Sequence, residues 1–308
     1  MSILPRNRPF HGWIIVFALS IAGGFSMSMA IGNVGLFVDP MGEELGIGRS
    51  AFGWAHTARL VGFAVSGPVI GLLLDRYGAR VMLATAAVLF GLATATLGLA
   101  SSAWQIIGLF LFMGLLGFWG SSTLYFTVPV AKWFIRQRGK AMSIVFVGVP
   151  IGVGISAPVA QLLIDAMGWR GALMVLGLTG SVVIATLSLT AVRNRPEDMG
   201  LRPDGDAALV AGQTAGGEGE DRKERSWTTK DAIRTGAFWR LAIAFGTMML
   251  SMSAMTLFWV PYYSSIGFPV HLAALGFSMQ GFTQVLASIL LSKLMDHVQP
   301  RYLALAGF

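Results

Sequence analysis

The sequence predicts an all-α membrane protein, and three observations carry that prediction. Of 308 residues, 55% are hydrophobic and only 12% charged, with a mean hydropathy of +0.68; a soluble domain carries about 25% charged residues. Apolar runs recur at about the 20 residues that an α-helix needs to cross the hydrocarbon core. Lys and Arg gather in alternate gaps between those runs, as the positive-inside rule requires.

Taken in order, a basic head with Arg6 and Arg8 precedes a first span at about 12–37, followed by an acidic loop with Asp39, Pro40, Glu43 and Glu44. Further spans are expected at about 51–74, 81–100, 104–131, 141–166 and 172–192. The first carries Gly24, Ser28 and Gly32 at four-residue spacing, and the fifth carries Gly148, Pro150, Gly152, Gly154 and Pro158. Small residues on one face let neighbouring helices approach closely. From 193 the chain turns polar and Gly-rich, which reads as a solvated linker. Near its end a short interfacial helix is expected, capped by Thr228 or Thr229. Spans at about 238–262 and 271–294 follow, and a run opening at Arg301 is too short to cross a bilayer. The expected organisation is an N-terminal six-helix bundle over 1–192, a linker over 193–237 and a partial C-terminal bundle over 238–308. The chain is therefore expected to be truncated after its eighth span.

With the N-terminus inside, all but Arg49, Arg59 and Arg170 of the 22 Lys and Arg fall on the inner side. The basic balance then follows from topology, and no nucleic-acid partner is needed. The expected location is the cell (inner) membrane, with the N-terminus and linker cytoplasmic. The chain has no Cys and only four scattered His, which removes thiolate sites and leaves no metal-ligand spacing. No phosphate-binding GxxxxGK[ST] is present. No catalytic constellation lies within the spans, so an enzyme is not expected, nor is any cofactor.

The stretch GPVIGLLLDRYGAR, residues 67–80, ends an apolar run on Asp75 and Arg76, turns at Gly78 and resumes at Arg80. A shift of 221 residues lays Asp75 on Asp296 and Arg80 on Arg301, with apolar runs before both. An internal repeat is the expected cause. The spacing of Gly71, Asp75, Arg76, Gly78 and Arg80 resembles the loop signature of the major facilitator superfamily. KWFIRQRGKAMSIVFVGVPIG at 132–152, HGW at 11–13 and RPEDMGLRPDG at 195–205 resemble its monocarboxylate and oxalate/formate-type carriers.

That resemblance implies a bundle of major facilitator type, built from parallel six-span repeats, and secondary transport by alternating access. The implied substrate is a small organic anion, in particular a monocarboxylate, with symport of a proton or antiport. Carriers of another solute, such as a drug or a sugar, share the same signature, and a truncated non-transporting scaffold is the alternative outside transport. Gly71, Asp75, Arg76, Gly78 and Arg80, with Asp296 and Arg301, are the implied conformational latch. The four basic residues Lys132, Arg136, Arg138 and Lys140 read first as a topology signal and headgroup contact.

The candidate substrate-binding residues are Arg59, His56, Trp119, Tyr125, Gln280 and Gln284. Arg59 lies about 12 Å into the second span at 1.5 Å per residue, where a charge is costly. It shares a helix face with His56 and Ser66, and the repeat lays it on Gln280. The anion-binding arginine that such carriers often hold in the eighth helix is missing, since residues 271–291 contain no Arg or Lys. Arg59 is thus the candidate anion grip, because a guanidinium offers a carboxylate two parallel hydrogen bonds. Snorkelling to the headgroups, or a structural pair with Asp39 or Glu43, are the competing readings. Trp119 and Tyr125 read as packing or cavity lining, as do Gln280 and Gln284 on their polar stripe.

Overall fold

In the computed structural model, residues 10–30, 34–118, 124–202, 204, 234–276, 279, 280, 282, 283 and 286 are described. Among them the regular structure is helical, without strands. The chain runs as α1 (His11–Ala30), α2 (Val34–Leu45), α3 (Arg49–Tyr77), α4 (Ala79–Leu97), α5 (Ala103–Leu115), α6 (Leu124–Trp133), α7 (Arg138–Ala191) and α8 (Gly236–Ser265). A 3-10 turn (Pro196–Met199) lies between α7 and α8. The helices follow from the solvent: with no water in hydrocarbon, each backbone N–H must find its partner within its own segment. α3, α4 and α7 are long and apolar enough to cross a membrane. α7 consists of two helical segments broken at Gly168 (φ 74°, ψ 169°), a conformation essentially reserved for glycine. The expected fifth and sixth spans are its two halves.

Three tight crossings assemble the bundle, and each runs through glycine. α1 meets the first half of α7 where a Cβ on Gly152 would lie 2.4 Å from the Gly24 carbonyl oxygen. α4 meets the second half of α7 where a Cβ on Gly91 would lie 2.5 Å from the Gly177 carbonyl oxygen. α3 meets α5 where a Cβ on Gly114 would lie 2.1 Å from the Arg59 carbonyl oxygen. Backbone-to-backbone packing of this kind is how helices associate where lipid is as apolar as their side chains. The core between the crossings is apolar and aromatic, with Phe90, Phe126, Trp133 and Phe134 almost fully buried.

Two expectations change. The acidic stretch after the first span is not a loop: Asp39, Pro40, Glu43 and Glu44 are helical, within α2. Pro40 lies inside α2, past its first turn, and removes the N–H that would donate to the Leu36 carbonyl. The fourth span is not one helix either. α5 stops at Leu115 and Gly117 takes a positive φ of 61°, and α6 starts afresh at Leu124. The freed carbonyls find partners, since Tyr125 Oη donates to Leu116 O at 2.8 Å and Ser66 Oγ reaches Gly114 O at 3.4 Å. Irregular backbone at membrane depth is tolerated when it is buried and satisfied in this way. Thr235 caps α8, its side chain accepting from the Phe238 N–H at 3.3 Å; Thr228 and Thr229 lie outside the described residues.

Candidate functional site

Arg59 sits in α3, ten residues past its start, and only 2% of it is exposed. Among the described residues it is the one Asp, Glu, Lys or Arg in the buried set. The Gly114 crossing clamps its backbone against α5, so the guanidinium projects from a fixed origin. Its Cζ lies 5.7 Å from the Phe110 ring centroid, a cation–π distance. One turn earlier, His56 Nδ1 lies 3.0 Å from Arg59 Nη2. A guanidinium has only donors, so Nδ1 accepts and the imidazole is neutral with its hydrogen on Nε2. Ser66, also buried, turns its hydroxyl to the Phe63 carbonyl at 2.9 Å. The polar face of α3 is therefore packed on α5. Asp39, a competing partner for Arg59, is held by Arg49 at 2.9 Å and by the Ser264 hydroxyl at 3.0 Å.

The other candidate binding residues divide. Tyr125 is buried and its hydroxyl is committed to the break in span four. Gln280 is exposed. Trp119 and Gln284 lie outside the described residues. A groove of about 620 Å³ between α1 and α7 is lined by Ser20, Gly24, Ile151, Ile155, Ser156 and Thr179. The Ser20 and Thr179 hydroxyls donate to the carbonyls of Ile144 and Val175, and among the described residues no charged group lines the groove. It suits apolar surface, not a carboxylate.

At the end of the bundle that holds Gly78, the candidate latch residues take several forms. Gly71 is partly buried, Asp75 is exposed, and Arg76 lies over the Tyr77 ring at 5.3 Å. Gly78 (φ 79°, ψ 158°) caps α3 and starts α4, and a Cβ there would strike the Asn194 side chain. Arg80 ties α4 to the end of α7: its backbone N–H donates to Asn194 Oδ1 at 3.1 Å and its Nη2 to Leu189 O. Ser188 Oγ returns a bond to Arg80 O at 2.7 Å. Asp296 and Arg301 lie outside the described residues. Asn194, adjacent to the quoted RPEDMGLRPDG stretch, carried no mark in the sequence that named it as a partner.

The three quoted motif stretches converge at this same end. His11 Nε2 donates to Ala191 O at 3.1 Å, and Trp133 Nε1 donates to Arg193 O at 3.0 Å. The Asp204 carboxylate accepts from three successive backbone N–H groups, Ile135, Arg136 and Gln137, at 3.0, 2.7 and 3.4 Å. Trp13 packs on Phe134, with ring centroids 5.0 Å apart, and Lys140 Nζ lies 5.5 Å from the Trp13 ring.

The opposite end carries its own polar assembly. The Glu44 carboxylate accepts from Trp169 Nε1 at 2.6 Å and from Arg170 Nε at 3.0 Å. Arg170 Nη1 also donates to the carbonyls of Gly98 and Ala100, at 2.8 and 3.0 Å. The Arg170 bond, and then the Trp169 bond, hold the Glu44 carboxyl below its ordinary value of 4.5. At this end α2 also touches α8: a Cβ on Gly35 would lie 3.1 Å from the Leu257 carbonyl oxygen.

Compared with known proteins, residues 20–308 match the profile described as Major Facilitator Superfamily. Monocarboxylate transporter 4 of Rattus norvegicus is 27% identical over 285 residues, covering 90% of this chain and 55% of that protein. Monocarboxylate transporter 2 of Homo sapiens is 28% identical over 188 residues, covering 58% and 38%. Monocarboxylate transporter 11 of Homo sapiens is 29% identical over 170 residues, covering 54% and 35%. The chain thus spans about half the length of the first of these relatives.

Proposed function

The chain belongs to the major facilitator superfamily, and we propose that it serves in secondary transport of a small organic anion, in particular a monocarboxylate. It is a multi-pass membrane transporter of that family and not an enzyme. The observation that supports the anion reading is Arg59, a cation buried within a span beside His56. A guanidinium held at this depth can grip a substrate carboxylate through two parallel hydrogen bonds. The relatives' printed names agree with that chemistry. Transport would proceed by rocking of two helical halves, with Asp75, Arg76 and Arg80 as the inner latch, in an inner membrane with the N-terminus and linker cytoplasmic.

The test is uptake of radiolabelled monocarboxylates into proteoliposomes, with drug and sugar probes as competitors. Arg59→Lys keeps the charge and loses the fork, so affinity should fall about 10- to 100-fold, as for loss of a charge-assisted bond. Arg59→Gln should abolish uptake while the protein still inserts. Normal uptake by both variants would reject the reading, and uptake of the sugar or drug alone would replace the substrate class.

A further inference from the structure

We infer that the turn between α6 and α7 is a docking surface for anionic phospholipid headgroups, built from Lys132, Arg138 and Lys140 around an exposed Ile135. The inference goes beyond the carrier reading and does not depend on it. Residues 132–140, KWFIRQRGK, hold four cations and no acid. A topology signal needs only that count of charges, whereas here the backbone that carries them is fixed. Trp133 and Phe134 are almost fully buried, and both pack on Phe10, with ring centroids 5.8 and 5.6 Å away. The next residue, Ile135, is 60% exposed, and Arg138 and Lys140 are exposed after it. Lys140 Nζ lies 5.5 Å from the Trp13 ring. An exposed isoleucine among cations, with a tryptophan beside them, is the pattern of a surface that sits at a membrane–water boundary.

Depth and charge both fit a headgroup. At 1.5 Å per residue, the first segment of α7, residues 138–167, is about 45 Å long. The hydrocarbon core is about 30 Å thick, and about 40–45 Å with its headgroups. When that segment spans the bilayer, its first turn therefore reaches the level of the lipid phosphates. Cations placed there do not serve the helix, whose dipole favours acids in the first turn, and α7 has no acid in its first turn. The Asp204 carboxylate, the one that reaches the turn from the linker, accepts from the backbone N–H groups of Ile135, Arg136 and Gln137. Asp198 accepts from the Arg195 N–H at 3.1 Å. A lipid phosphate brings the negative charge that the turn's own sequence lacks, and the acyl chains below it cover Ile135. Phosphatidylglycerol carries that charge uncancelled, whereas the choline of phosphatidylcholine offsets its own phosphate.

The experiment gives the purified 308-residue chain, in detergent, equal amounts of phosphatidylglycerol and phosphatidylcholine with identical acyl chains. Mass spectrometry of the intact complexes then counts the lipids retained. Phosphatidylglycerol should be retained about tenfold over phosphatidylcholine, the combined effect of several cations at one surface. Arg138→Gln should lower that preference about fivefold, the effect of one such cation, and Arg138→Gln with Lys140→Gln should leave none. Arg76→Gln removes a cation of the same end outside the turn and should change the preference less than about twofold, because exposed charges beyond a Debye length are screened. The replaced side chains are exposed, so each variant should melt with the parent in the absence of lipid. Equal retention of the two lipids by the parent would overturn the inference without any variant. An undiminished preference in the double variant would also overturn it, as would a loss from Arg76→Gln as large as that from Arg138→Gln. Glu218, Glu220 and Asp221 of the linker lie outside the described residues. A preference that emerges only when these three are changed to Gln would give the turn to the linker's acids, and the lipid assignment would fall.

Discussion

Glu44 shows how much one side chain can organise at the rim of a membrane bundle. Its two carboxylate oxygens are divided between the Trp169 indole and the Arg170 guanidinium, and the same guanidinium reaches two carbonyls that follow α4. One carboxylate thus joins α2, the turn at Gly168 and the α4–α5 connection. Because these bonds hold its folded pKa below 4.5, the sign of its pH effect is fixed. The stabilisation is fully present above the ordinary carboxylate value and is lost as pH falls through the lower, folded value. Glu44→Gln should therefore lower the melting temperature in detergent at neutral pH. The gap between variant and parent should close as the solution is acidified below about 4.5, the ordinary value. A gap that persists unchanged in acid would mean that the glutamate acts through shape and not charge. Arg59 is the contrasting case. Its burial was foreseeable from its depth in an apolar run, but its contacts with Phe110 and Gly114 were not, because they depend on which helix α3 meets.

That choice of neighbour is made at the level of elements, by where glycines fall. The sequence displayed small residues in the first span and glycines in the fifth as separate stripes, and the structure pairs them through Gly24, Gly148 and Gly152. Hydropathy cannot reveal such pairings, since many faces of an apolar chain carry small residues and register is decided only when two helices meet. The same limit hid the break in span four. An apolar run reads as one span, whereas Gly117 at φ 61° and the Tyr125 bond to Leu116 end a helix without changing the average hydropathy. The crossing of α3 and α5 offers a direct test. Gly114→Ala would place a methyl 2.1 Å from the Arg59 carbonyl oxygen, so backbone must move. Overpacking of this kind costs about 1–3 kcal/mol, and the displaced backbone carries Arg59. Gly108 lies on the same helix with open space where its Cβ would stand, so Gly108→Ala should stay within about 0.5 kcal/mol of the parent. Thermal denaturation in one detergent should separate the two variants clearly. Equal melting temperatures would show that the crossing is looser than its geometry.

At the scale of the molecule, the two ends of the bundle differ in kind. One end gathers Asp39, Glu43 and Glu44 with Arg49 and Arg170, and both arginines are paired to carboxylates there. The other gathers Arg76, Arg80, Lys132, Arg136, Arg138, Lys140 and Arg193, with the carboxylate of Asp204 accepting from backbone N–H groups. The motif stretches that suggested the family in the sequence meet at that basic end, where they hold helix termini and a loop together. Those stretches are therefore legible as structure, while the proposed substrate chemistry rests on the separate pair in α3. The charge asymmetry also implies an orientation. Cationic loops are retained on the cytoplasmic side, and paired or sparse cations do not oppose translocation. Ser50 is exposed at the acidic end. Gly139 is exposed at the basic end, with open space where a side chain would stand. The chain has no cysteine, so a single introduced thiol reports without background. In intact cells, Ser50→Cys should react with a membrane-impermeant thiol reagent and Gly139→Cys should not. After permeabilisation both should react, which separates sidedness from burial. Labelling of Gly139→Cys from outside, with Ser50→Cys protected, would invert the bundle in the membrane and place the linker, Asp204 and the proposed latch on the extracytoplasmic face.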